Sequence, residues 1–253
     1  MIQRTALLLP LLLLGCTSPR WTLQVTTDVL EFRTTEPYPG NLEKLAELRA
    51  MYDRMKAMFA LDVAPPEPVR VDHLHERGLV SRSSGREWSL TVGPSENYVT
   101  HSPEGVVKRI QLDGYWSRSI LLHELAHLML LLGWPERAMD SWLHEGLATW
   151  FESAELRGAD REIELRDFEA FARIAEGIAP PGAPPFGAIF TVSHAEFHGQ
   201  NFGHYAYRSA ALIAYAFEQW PGENFRARLE RLLALGEPEL RRLERQAVAR
   251  YAH

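Results

Sequence analysis

Two periodicities divide the chain: apolar and polar positions alternate in its first part, and apolar positions recur every three or four residues later on. Trp21 to Arg33 alternates and is rich in Thr and Val, which predicts a strand. Asn41 to Leu61 carries Leu42, Leu45, Leu48, Tyr52, Met55 and Phe59 at helical spacing, with Asn41 as the expected N-cap. Pro65, Pro66 and Pro68 end that helix, and strands are predicted over Val69–Leu74, Trp88–Val92 and Val106–Leu112. Asp113-Gly114 then turns into a helix over Ser117–Leu132 that is apolar on nearly every side, stopped by Gly133 and Pro135. Further helices are expected over Trp142–Leu156, onward to Gly177 (with Ile163, Phe168, Phe171 and Ile174 inward), and over His204–Trp220, Asn224–Leu235 and Glu237–Tyr251. The proline-rich run from Ala179 to Gly187 reads as an extended crossing between them. Strands with one helix, followed by helices alone, predict an α+β fold: a small N-terminal sheet, then a mostly helical part.

The first residues fit neither pattern. Arg4 precedes an apolar run from Ala6 to Leu14, too short to span a bilayer, which reads as a signal peptide over 1–15. Leu13-Leu14-Gly15-Cys16 resembles a bacterial lipobox, and Cys16 is the sole cysteine of the chain. No disulfide can form within the chain, and lipidation of Cys16 accounts for a lone thiol on an exported protein. The expectation is an exported bacterial lipoprotein, held at the outer membrane or cell envelope through an N-terminal lipid anchor. A plain signal peptide with an incidental cysteine is the alternative. Residues 16–20 then form a tether, and 21–253 a single domain, divided into a β-rich subdomain (21–116) and a helical one (117–253).

Composition excludes little except one partner class. The 253 residues are 46% hydrophobic and carry a net charge of −6, so no basic excess is present to neutralise phosphates. No nucleic-acid partner is expected. Nothing in the sequence fixes an oligomeric state.

The apolar helix 117–132 carries His123, Glu124 and His127, whose burial is costly without partners. Histidines four apart share one helix face, so both imidazoles can reach a single metal ion with Glu124 beside its open side. A carboxylate from the run Trp142-Leu143-His144-Glu145-Gly146 would complete three protein ligands and leave one position for water. That ligand count belongs to a catalytic zinc site rather than a structural one. His144 competes with its neighbour Glu145 for the third place. Elsewhere, His73 and His75 lie two apart on or near a strand. His194, His198 and His204 crowd one polar stretch that could line a substrate site, stay solvated or hold a second metal.

Trp142-Leu143-His144-Glu145-Gly146-Leu147-Ala148-Thr149-Trp150-Phe151-Glu152 resembles the WLxEGxAxxxE segment that follows HExxH in gluzincin metallopeptidases. It is most similar to the small bacterial peptidase MA-like domains, and the likeness is strongest over 119–152. The resemblance implies a zincin-like fold, a Zn2+ ion on His123, His127 and Glu145, and Glu124 as general base. It also implies that Glu152 supports a ligand from outside, that the substrate is a peptide or protein, and that a tyrosine or histidine from the C-terminal half steadies the oxyanion. Tyr205 and Tyr207 are the candidates, with His204 behind them; being two apart on a helix, at most one can serve. Tyr205 shares a stripe with Leu212, Ile213, Ala216 and Trp220, which favours the core, and Tyr207 lies nearer the other face.

Two departures qualify the likeness. Seventeen residues lie between His127 and Glu145, one fewer than is usual in the aminopeptidases of that clan, and no GxMEN-type amine-binding motif is visible. The metzincin extension is also absent, since Leu130 and Gly133 occupy its glycine and histidine positions. The rival readings are a binding or scaffold lipoprotein of the same fold with little turnover, and a zinc hydrolase of a non-peptide amide such as a cell-wall linkage.

Overall fold

The computed structural model describes residues 21–36, 40–65, 68–74, 80–84, 87–91, 98–101, 107–113, 116–137, 139–157, 162–165 and 184–251. The expected signal segment, Cys16 and the tether lie outside these residues. Among the described residues no helix is long and apolar enough to cross a membrane.

The fold is α+β. A five-stranded sheet is built from β1 (Leu23–Thr26), β2 (Leu30–Thr34), β3 (Val69–Leu74), β6 (Tyr98–His101) and β7 (Val107–Asp113), in the order β1-β2-β3-β7-β6. β2, β3 and β7 run parallel, and the outer strands β1 and β6 are antiparallel to their neighbours. α1 (Gly40–Met58) makes the crossover between β2 and β3, while β4 (Val80–Ser84) and β5 (Glu87–Thr91) form a separate hairpin. The inward face of β2 carries Leu30, Phe32 and Thr34, in register with Val69, Val71 and His73 of β3.

Several expectations change here. The single strand over 21–33 is a hairpin, because Thr27 turns the chain: its Oγ1 accepts from the Leu30 N–H at 3.0 Å and donates to the Leu30 carbonyl at 3.1 Å. α1 already starts at Gly40, so Asn41 lies inside the helix, buried, rather than capping it. Leu42, the first member of the predicted stripe, points into solvent, whereas Leu48, Met51, Tyr52, Met55 and Phe59 are fully covered. Strands β4 and β6 are additions to the predicted set.

The helical part begins with α2 (Arg118–Gly133), followed by α3 (Ser141–Glu152). Ser117 caps α2, its Oγ accepting from the Ile120 N–H. Glu47 of α1 pins the same end, accepting from the Trp116 indole at 2.8 Å and pairing with Arg118. α3 ends at Glu152 rather than at Leu156. Ser153 folds its hydroxyl back to the Trp150 carbonyl, and Glu155–Arg157 (β8) pairs antiparallel with Glu162–Glu164 (β9). Ile163 is therefore a strand residue and not part of a helix; Phe168, Phe171 and Ile174 lie outside the described residues.

After a short 3-10 turn (Ala188–Phe190) come α4 (His194–Phe197), α5 (Phe202–Glu218), α6 (Phe225–Leu233) and α7 (Glu237–Tyr251). α4 was not expected; Ser193 caps it. α5 begins two residues before His204, and Asn224 caps α6, its Oδ1 accepting from the Ala227 N–H. Of the proline-rich run, 184–187 is described, and it is strapped to the helices. Arg208 of α5 donates to the Pro184 carbonyl at 2.6 Å, and Glu244 of α7 accepts from the Gly187 N–H at 2.6 Å. Gly187 takes φ +85°, a conformation that favours glycine.

One apolar core runs from Phe32 and Val71 of the sheet through α1 and α2 to α3, α5 and α7. α3 packs on α2 with one side and on α5 with the other. The approach to α5 is so close that a Cβ on Gly146 would lie 2.5 Å from the Ser209 Cβ. Phe151, Phe217 and Phe225 close the lower end of this layer, their centroids 5.1–5.8 Å apart where they meet.

Candidate metal centre

Facing turns of α2 and α3 bring the polar residues of the apolar helix together with those of the second run. The Nε2 atoms of His123 and His127 are 3.0 Å apart, and Glu145 Oε2 lies 3.7 Å from the first and 3.8 Å from the second. Two ligands on one tetrahedral ion with bonds near 2.05 Å lie about 3.3 Å apart. The triangle of these three atoms has edges close to that value. The separations to Glu145 are too long for hydrogen bonds and suit two groups sharing one ion.

His123 is oriented from behind. Its Nδ1 is 2.5 Å from Glu152 Oε1, so the ring donates there and directs its Nε2 lone pair at His127. Two imidazole nitrogens face each other across 3.0 Å, with a carboxylate oxygen beside them. Such a grouping can hold a divalent cation.

The electrostatics point the same way. Burial pushes the Glu124 carboxyl up to about 7, with Glu145 and Glu152 adding to the rise and His123 opposing it. Burial likewise raises Glu145, with Glu152 adding and His123 opposing. For His123, burial disfavours the charged ring, but the Glu152 hydrogen bond and the carboxylates of Glu124, Glu152 and Glu145 outweigh it and raise the pKa. Glu124 and Glu145 hold their protons to higher pH than exposed carboxyls do, chiefly because burial disfavours the charged form. A dication there would release those protons.

His144 stacks on His127, ring centroids 4.2 Å apart at 20°, and its ligand atom lies within 4.8 Å of those of His127 and Glu145. A ring stacked parallel to a ligand presents its face rather than its lone pair to that ligand. Glu145 has the better directed atom, and His144 serves better as the wall of the site.

The two candidate tyrosines separate cleanly. Tyr205 is buried against Phe197, rings 5.2 Å apart at 28°, in the core as its stripe predicts. Tyr207 lies half-buried on the side of the site: burial raises its hydroxyl pKa, and the Glu152 carboxylate raises it further. His204 lies half-buried on the first turn of α5. His73 is buried in β3 with its Nδ1 2.9 Å from Thr34 Oγ1 and its ring edge-on to Trp116 at 5.5 Å, and His75 lies outside the described residues.

His198 is a site residue whose place the sequence did not reveal. Its Nε2 lies 3.6 Å from Glu145 Oε1, whereas Oε2 is the oxygen nearest His123 and His127. Burial and the neighbouring His194 lower the pKa of His198. The usable signal was the four-residue spacing of His194 and His198, which matches that of Ser141 and Glu145.

No family model matches the chain, and no curated protein matches it either. The function has to be argued from these residues.

Proposed function

We propose that the protein is a zinc-dependent hydrolase of peptide bonds, of the gluzincin type. The carrying observation is the triangle of His123 Nε2, His127 Nε2 and Glu145 Oε2, with edges of 3.0, 3.7 and 3.8 Å, where α2 meets α3. Two imidazoles and one carboxylate are the ligand chemistry of catalytic zinc, and they disfavour ions that prefer all-oxygen shells. When bound, zinc supplies Lewis acidity towards a carbonyl and lowers the pKa of a water towards ~7.

The side chains divide the remaining work. His123, His127 and Glu145 would hold the ion, and Glu152 fixes the tautomer of His123. Glu124, next to His123 and poised near neutrality, takes a proton from the attacking water on its carboxylate and returns it to the leaving amine. The Tyr207 hydroxyl donates to the oxyanion that develops on the scissile carbonyl. Tyr205 keeps its core position and takes no part. The presence of Glu124, which is dispensable for holding a metal, supports turnover over a scaffold role. On the sequence reading, Cys16 anchors this hydrolase to the cell envelope.

Metal analysis of the purified chain, paired with a peptide-hydrolysis assay of Glu124→Gln, tests the reading. One zinc per chain and a loss of turnover of about 10²- to 10⁴-fold in Glu124→Gln, with zinc retained, are expected. A chain purified without near-stoichiometric zinc, and unable to take it up, would sink the proposal. So would unchanged turnover in the variant.

A further inference from the structure

We infer that His198 is a positioning residue that holds the third metal ligand, Glu145, by its outer oxygen. This rests on the zinc reading above. α4 lies beside α3, and the two segments present matched pairs at four-residue spacing: Ser141 and Glu145 from α3, His194 and His198 from α4 and its C-cap. The pairs meet as two rungs. His194 Nδ1 lies 3.0 Å from Ser141 Oγ, and His198 Nε2 lies 3.6 Å from Glu145 Oε1.

The first rung is a hydrogen bond and fixes the register in which the second must fall. The His198 ring is also held by its neighbours. It lies 4.3 Å from the His194 ring and stacks on Phe202 at 5.3 Å and 19°. Although 33% of the side chain is exposed, these ring contacts hold His198 with its Nε2 towards Glu145 Oε1.

The two oxygens of Glu145 therefore have different surroundings. Oε2 faces His123 and His127, whereas Oε1 faces His198. The 3.6 Å rung is longer than a direct hydrogen bond, so the proposed hold requires the Glu145 carboxylate to turn towards His198. An N–H donor engaging the outer oxygen would leave the inner one to be presented alone to the cation. The metal's ligand set is thereby tied to a segment more than forty residues downstream of Glu145. No signal of this tie exists in the HExxH or WLxEG runs themselves.

Zinc affinity of the full chain, measured by competition with a chromogenic chelator, tests the inference in wild type, His198→Ala, His198→Gln and Ser141→Ala. All should bind one zinc. His198→Ala should bind it about ten- to hundred-fold more weakly, the loss typical for a partner that orients a ligand. His198→Gln, whose amide N–H can reach the same oxygen, should recover part of the loss, and Ser141→Ala should show a smaller loss. The thermal midpoint of metal-free His198→Ala should match wild type; if it drops, Ser141→Ala decides the question. Wild-type affinity in the variants overturns the inference. So does a wild type that binds two zinc ions and a His198→Ala that binds one, which would make His198 a ligand. A wild-type chain that binds no zinc removes the metal reading itself, and the stoichiometry tells that failure apart from the others.

Discussion

Glu152 Oε1 sits 2.5 Å from His123 Nδ1, so the last residue of α3 orients the first histidine of α2, while Glu145 of the same helix faces that ring's other nitrogen. On the proposed zinc reading, one helix thus supplies both a ligand and the support for another. Removing the support should weaken metal binding without abolishing it. Glu152→Ala is expected to bind one zinc about ten- to hundred-fold more weakly, and Glu152→Gln, which keeps an acceptor oxygen, to lose less. Chelator competition reads both, and an unaltered affinity in Glu152→Ala would count against the orienting role.

The metal-free protein should lose stability as the pH rises from about 5 to 8. The Glu124 carboxyl titrates near 7 in the folded chain, against 4.5 when exposed, so between these values the folded state holds a proton that the unfolded chain has released. Stability falls wherever the native state binds more protons, and a shift of this size corresponds to about 3 kcal/mol. Glu145 is raised as well and adds in the same direction. His123, also raised, contributes stability below its unfolded value of 6.5 that is lost as pH rises through its folded value. Denaturant titrations in a chelator should show the decline, and Glu124→Gln should flatten it between pH 5 and 7. With zinc in excess the trend should reverse, because binding expels those protons.

Tyr207→Phe should reduce kcat by about 10²-fold, with little change in KM, if its hydroxyl meets the oxyanion. Tyr205→Phe should leave both constants near wild type, since that ring packs on Phe197. Steady-state kinetics on one peptide substrate separates the two, and a kcat loss confined to Tyr205→Phe would reverse the assignment.

Gly146→Ala should destabilise the fold by about 1–3 kcal/mol, the range for overfilling a packed contact. The added methyl would meet the Ser209 Cβ at 2.5 Å and its carbonyl carbon at 2.8 Å, and both belong to a buried helix that cannot rotate away. A urea midpoint equal to wild type would show that α3 and α5 can separate.

The strand β3 and the helix α7 were legible because each has an unbroken period over its length, and α2 because its apolar run is too long for a strand. The hairpin β8–β9 was not. Glu155 to Arg157 continues the helical apolar spacing of α3, and only the back-bond of Ser153 ends the helix before it. The residues proposed here as metal ligands could be picked out for a related reason: the two runs that hold them are local, and a polar triad on an otherwise apolar helix demands a partner. Glu152 could be placed by its seven-residue spacing from Glu145. His198 could not, because its role depends on how α4 docks against α3, a tertiary fact that no local pattern encodes. The choice between Tyr205 and Tyr207 likewise turned on which face of α5 meets Phe197 and which meets Glu152.

His123, Glu124, His127, Glu145 and Glu152 all fall within thirty consecutive residues, whereas the contact that pins α2 to the first helix, Trp116 to Glu47, spans 69. Closing a short loop is entropically cheaper than closing a long one, and local contacts form earlier. The order of assembly follows. On the proposed zinc reading two neighbouring helices carry all the ligands, and an ion would bind a chain whose sheet has not yet formed if those helices pair first. Zinc would then stabilise a folding intermediate as well as the finished protein, and its native affinity would overstate its effect on the unfolding equilibrium.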